Sequence, residues 1–127
     1  MQLKKGTFSE MSECIKSHGS KIVMFGAGVI GTSTTPAILD AYGLGDSVVC
    51  CVDNDSTKWG QEIIVGSRNV KICEPDVLHR LGENIAVLIN ISRYADVLEQ
   101  LERMECEGLI YCYIMPMIFL LSFHNKG

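Results

Sequence analysis

No apolar run in this sequence is long enough to cross a bilayer. Its most hydrophobic stretch, Ile110 to Phe123, is interrupted by Pro116 and falls short of the roughly 18 to 20 residues that a spanning helix needs. No membrane span is expected. The opening residues MQLKKGTFSE carry two lysines but lead into polar sequence, not into the apolar segment of a secretory signal. The chain is therefore expected in the cytoplasm. The sequons Asn54-Asp55-Ser56 and Asn90-Ile91-Ser92 would then never meet the machinery that glycosylates them. None of the six cysteines forms a C-x-x-C pair, and most sit in apolar runs, where a thiol behaves as a small hydrophobe. They read as reduced core residues. Basic residues are in the minority, 11 against 15 acidic ones for a formal charge of -4, which argues against nucleic acid or anionic lipid as a partner. Repeats, low-complexity tracts and Pro/Gly/Ser linkers are missing too, so residues 1–127 read as a single domain with an N-terminal helix over 1–19 and an apolar tail over 115–127.

What is present alternates between strand and helix. Thr7 and Glu10 stand three apart, the spacing of a capping box, and Phe8, Met11 and Ile15 follow at helical spacing until Gly19 ends the turn. Lys21 to Phe25 reads as a first strand running straight into glycines, and Val29 to Tyr42 as the helix after it. Pro36 within that helix predicts either a kink or a restart with Thr35 as cap and Pro36 as first residue. Val48 to Val52, Ile85 to Ile91 and Leu109 to Ile114 are continuous apolar runs, the signature of strands covered on both faces in a parallel sheet. Helices are predicted over Pro75 to Leu81, capped by Glu74 and stopped by Gly82, and over Tyr94 to Cys106, with Glu99 and Arg103 as an i,i+4 pair. A weak third strand at the sheet edge falls around Ile63 to Ile72. This order implies an α/β doubly wound fold, a three-layer sandwich whose parallel sheet of about five strands runs 3-2-1-4-5.

The strongest motif is Gly26-Ala27-Gly28-Val29-Ile30-Gly31, a complete G-x-G-x-x-G between a strand and a helix. There the first glycine permits the turn, the second lets a pyrophosphate approach the backbone, and the third allows close packing of helix on strand. Amides at the helix start would supply the anion site. The same residues also suit a plain strand-to-helix turn. Asp53 closes the second strand 25 residues after Gly28, where an acid can accept both ribose hydroxyls and repel a 2′-phosphate. That favours NAD over NADP, and Asn54 adjoins it. Asp53-Asn54-Asp55 equally suits a turn. Topology adds Asn90, Ser92 and Arg93 after the fourth strand, facing the crevice where the strand order reverses. Their alternative roles are a helix cap for Ser92 and a solvated charge for Arg93.

No motif places a catalytic residue. Lysine does not follow any tyrosine by four residues, and the phosphate loop, the G-x-S-x-G elbow and H-E-x-x-H are all missing. His18, His79 and His124 are dispersed, so no metal is expected.

KIVMFGAGVIG, VVCCVDND, Lys58-Trp59-Gly60 and a following Val-Gly together resemble the Rossmann-like N-terminal domain of bacterial nucleotide-sugar dehydratases and epimerases, and of the sugar acyltransferases of polysaccharide biosynthesis. The resemblance covers about Lys21 to Ile114. It implies a Rossmann-like fold that binds NAD or a nucleotide sugar, with Gly26, Gly28, Gly31 and Asp53 at the ligand and the chemistry in a second domain. Pro36 and the lack of a substrate domain after Ile114 depart from the pattern. The tail MPMIFLLSF suits packing across the sheet, a homodimer contact, or docking to a larger multidomain partner. Three functions fit: a nucleotide-binding module of nucleotide-sugar metabolism, a regulatory domain sensing NAD(H), and a scaffold that has lost its ligand. A complete dehydrogenase ranks last.

Overall fold

Thr7 opens the first helix as its spacing predicts. Its hydroxyl accepts from the Glu10 amide at 3.1 Å while the Glu10 carboxylate accepts from the Thr7 amide at 3.3 Å. The computed structural model describes residues 2–4, 7–28 and 30–114. Helix α1 (Phe8–His18) ends at Gly19 in the left-handed region with φ 61°, a conformation glycine adopts without steric cost. Its apolar face, Phe8, Met11 and Ile15, is buried.

Seven strands form one sheet: β1 (Gln2–Lys4), β2 (Lys21–Phe25), β3 (Val48–Val52), β4 (Glu62–Val65), β5 (Arg68–Cys73), β6 (Ile85–Ile89) and β7 (Leu109–Ile114), in the order β1-β7-β6-β2-β3-β5-β4. Every pairing is parallel except that of β4 with β5. The central five, β5-β3-β2-β6-β7, stand in the expected 3-2-1-4-5 order. Ile22, Val23, Met24 and Phe25 of β2 are fully buried, because a central strand of such a sheet is covered on both faces.

Four expectations need correction. The weak third strand is a hairpin: β5 is internal, and β4 folds back on it through Gly66-Ser67 to become the edge. Gly66 has φ 62°, as the first residue of a type II′ turn requires. At the other edge β1 pairs with β7, a strand of three residues too short to show a pattern. The turn at Pro75–Arg80 is a 3-10 helix. It buries Pro75 and Leu78, an i,i+3 pair matching the 3-10 period, and the Glu74 side chain does not cap it. Finally, the helix after the glycine loop breaks before Pro36 as its sequence predicts, but its cap is displaced by one residue. A π-turn over Ile30–Thr34 precedes α2 (Thr35–Ala41). Pro36 has no amide to give the Thr32 carbonyl and its ring crowds that oxygen, so the extra residue of a π-turn relieves the conflict. Thr34, not Thr35, stands at the cap, and it makes no capping side-chain bond.

Helix α3 (Tyr94–Met104) buries Val97 and Leu101, and its Glu99–Arg103 pair closes to 3.2 Å on the wet face. Tyr94, the first residue of the helix, is 44% exposed. Residue 29 and the apolar tail 115–127 lie outside the described residues, and so do the expectations placed on them. No helix among the described residues is long and apolar enough to cross a membrane.

All cysteines are free, and Cys50, Cys51, Cys106 and Cys112 are buried. Desolvation pushes the Cys50 and Cys51 thiols from 9.0 up to about 12 and Cys112 up to about 11. An unfolded chain therefore releases these protons first as the pH climbs past 9. Their contribution is complete below that pH and is lost as the pH rises towards the folded values. The urea midpoint should fall as the pH rises from about 9 towards about 12, and less steeply in Cys51→Ala. Equal slopes in the two proteins would show that the buried thiols are not responsible.

Candidate nucleotide site

The chain leaves β2 at Gly26, whose amide donates to the Val52 carbonyl at 2.8 Å. Gly26 has φ 116°, and a Cβ there would lie 2.7 Å from Ile91 Cγ1. Only glycine fits both the backbone and the neighbour. Gly28 is the reverse case, since a Cβ there would meet nothing within 4 Å. Space is open above that backbone.

Asp53 follows β3 and turns its carboxylate back onto the loop. Oδ2 accepts from the Ala27 amide at 2.7 Å, and Oδ1 accepts from the Asp55 amide at 2.8 Å. The side chain is 13% exposed. A carboxylate has about four lone-pair sites, so two remain for other donors. The expected Asx-type turn also exists, because Asp55 accepts from Thr57 N at 3.0 Å and Thr57 Oγ1 at 2.7 Å. These bonds, through both the hydroxyl and the amide of Thr57, hold the exposed Asp55 carboxyl below its ordinary value. Turn and acid site are therefore compatible at Asp53-Asn54-Asp55, which the sequence presents as alternatives.

Two residues that sequence reasoning gave no role of their own complete this corner. Lys58 reaches back so that Nζ donates to the Ala27 carbonyl at 3.2 Å and stands 3.8 Å from Asp53 Oδ2. Trp59 Nε1 donates to the Asp53 carbonyl at 2.7 Å. The V-D-N-D and W-G segments thus form one hydrogen-bonded unit. Ala27, Gly28 and Thr32 on one side and Lys58, Gln61, Glu62, Ile63 and Ile72 on the other line a cleft of about 470 Å³ between the glycine loop and the β4–β5 hairpin, where Lys58 offsets the Glu62 charge. Pattern reasoning could not find it, because half its wall comes from that hairpin.

Clefts of similar size, about 480 and 360 Å³, lie at the opposite end of the sheet near Cys106 and His79. Glu105 and Glu107 line both, and such acidic walls repel phosphate. The described residues contain no cluster of three His, Cys, Asp or Glu suited to a metal ion.

Neither a family model nor a curated protein matches the chain. Among solved structures, RSP, a Rex-family repressor, aligns with 94% of this chain at 10% identity and a TM-score of 0.49. RSP in complex with beta-NADH aligns with 90% of it at 13% identity and a TM-score of 0.50. The fold is Rossmann-like. The chain spans 65% of the length of these structures.

In a Rossmann-like sheet the ligand crevice opens where the strand order reverses, here between β2 and β6 with β3 on the far side of β2. Asn90 leaves β6 at that point. Its amide donates to the Phe25 carbonyl at 2.9 Å, and its Oδ1 accepts from Thr35 Oγ1 at 3.1 Å. Asn90 Nδ2 is buried with no hydrogen-bond partner, a costly state unless something else accepts from it.

Other candidates separate from this centre. Asn54 is exposed and engaged elsewhere, exchanging amide hydrogen bonds of 2.8 and 2.9 Å with Gln100 of α3. Ser92 and Arg93 are exposed. Arg93 takes the N-cap position of α3 without a side-chain cap bond, so the alternative role of Ser92 as cap is not realised. Ile30 and Gly31 begin the π-turn, so the amides expected at a regular helix start belong to a wider turn.

Proposed function

We propose that this chain is a dinucleotide-binding module that reads NAD(H) for a larger assembly. The observation that carries this reading is the Asp53 carboxylate, held against the Ala27 amide beside the open backbone of Gly28. A diphosphate needs bare amides, and a ribose needs a nearby acid to receive its two hydroxyls. The loop from Gly26 to Gly31 would seat the diphosphate on its amides beyond Ala27, because those of Gly26 and Ala27 already donate to Val52 and Asp53, and Asp53 would take the ribose. Asn90 Nδ2 would donate to the half of the ligand beyond β6, with Ser92 and Arg93 at the rim and Asn54 behind Asp53. One further fact favours sensing over chemistry: the similar solved structure is that of a repressor in complex with NADH.

Trp59, the chain's one tryptophan, is 39% exposed and bonded to Asp53, so its fluorescence reports the site directly. Titration with NADH should quench it saturably, with NAD+ competing. An unchanged signal with both, confirmed by calorimetry, would remove the reading.

A nucleotide sugar from surface-polysaccharide metabolism is the second reading, favoured by the bonding of the W-G segment to Asp53. It predicts that UDP-sugars bind and NADH does not.

A further inference from the structure

The geometry points to Lys58 as a specificity-determining residue of the dinucleotide site: it makes the site tolerant of a 2′-phosphate that Asp53 alone would reject. This inference rests on the NAD(H) reading and deepens it.

Asp53 by itself selects against NADP, because a carboxylate facing the ribose repels a phosphate on the 2′ oxygen and offers it no proton. Asp53 is not by itself here. The Lys58 ammonium stands 3.8 Å from Oδ2 and lines the cleft beside the glycine loop. It is too far for a strong hydrogen bond to that oxygen, yet close enough to offset much of the carboxylate's field. An ammonium has three protons, and the Ala27 carbonyl receives one of them at 3.2 Å. That contact anchors the head group beside the loop and leaves protons for a ligand.

The pair therefore reads the 2′ position in two ways. A hydroxyl gives its proton to Asp53 and accepts one from Lys58. A phosphate gives nothing to Asp53 but accepts from Lys58, and charge-assisted bonds of that kind are the stronger class. Discrimination between the two cofactors then depends on which member of the pair dominates. Lys58 is 32% exposed, enough for the ammonium to shift from carboxylate to phosphate while its stem stays packed.

The test is a set of dissociation constants for NADH and NADPH with the native chain, Lys58→Met, Asp53→Ser and the double variant, each checked for an intact thermal transition. Methionine keeps the length of the stem and removes the charge. NADH should bind the native chain more tightly than NADPH. In Lys58→Met, NADPH should weaken by roughly tenfold more than NADH does. In Asp53→Ser, NADPH should gain on NADH by a similar factor, and the double variant should lose that gain. Equal weakening of both cofactors by Lys58→Met would overturn the proposal, because the lysine would then serve only their shared diphosphate. A gain that survives in the double variant would overturn it as well. If Asp53→Ser fails to fold for want of the bonds to Ala27 and Asp55, the Lys58→Met comparison decides alone. Native protein that binds neither cofactor sinks the dinucleotide reading itself, a distinct result.

Discussion

Gly28→Val abolishes dinucleotide binding and leaves the melting temperature where it was. Nothing within 4 Å opposes a Cβ at this position, and its φ lies outside the left-handed region. The folded chain has room for a Cβ there, and no left-handed backbone opposes a side chain. What the valine occupies is the open space over the loop, where a diphosphate would need to touch the backbone. Losing two charge-assisted bonds to amides should raise the NADH dissociation constant by roughly a hundredfold or more. Calorimetric titration and a thermal melt on the same sample check both halves. Tight NADH binding by a normally folded Gly28→Val would mean that the diphosphate does not sit on this loop.

Gly108→Ala has its largest effect on stability. A Cβ at Gly108 would overlap the Gly82 carbonyl oxygen, with the Gly82 carbonyl carbon 2.8 Å away and Glu83 Cα 3.2 Å away. All three are backbone atoms, so no side chain can swing aside. This crossing joins the loop before β6 to the loop before β7, and the Gly108 carbonyl accepts from the Ile85 amide at 2.9 Å. Overpacking a tight site costs about 1–3 kcal/mol, and a clash with backbone belongs at or above the top of that range. A substitution cost of about 3 kcal/mol is a large share of a small domain's stability. It should appear as a clearly lower urea midpoint. NADH affinity in the protein that remains folded should be unchanged, because the crossing lies at the opposite end of the sheet from the glycine loop. A midpoint equal to that of the native chain would mean that the two loops separate at little cost.

Much of the candidate site's geometry was legible because its signals are short. The glycine loop is six consecutive residues, and Asp53 ends an apolar run whose limits are clear, so both stand where pattern reasoning places them. Lys58 is different. Its side chain meets Ala27, 31 residues earlier, only because β3 pairs with β2 and the chain then turns at Asp55. A charged residue in a polar stretch gives no sign of that approach. Asn54 went astray for the same reason, since its partner Gln100 is 46 residues away.

By itself, the sequence determined four strands of the central sheet, β2, β3, β6 and β7, their order, the capped first helix and the glycine turn. Burial on both faces, capping and the steric freedom of glycine all write themselves into a few adjacent residues. Tertiary structure decided the edges and the joints: the hairpin beside β5, the strand beside β7, the π-turn forced by Pro36 and the Lys58–Asp53 pair. The π-turn answers a local conflict that the sequence shows without saying how it is relieved; the others depend on which distant backbone arrives alongside, and such encounters leave no local pattern to read.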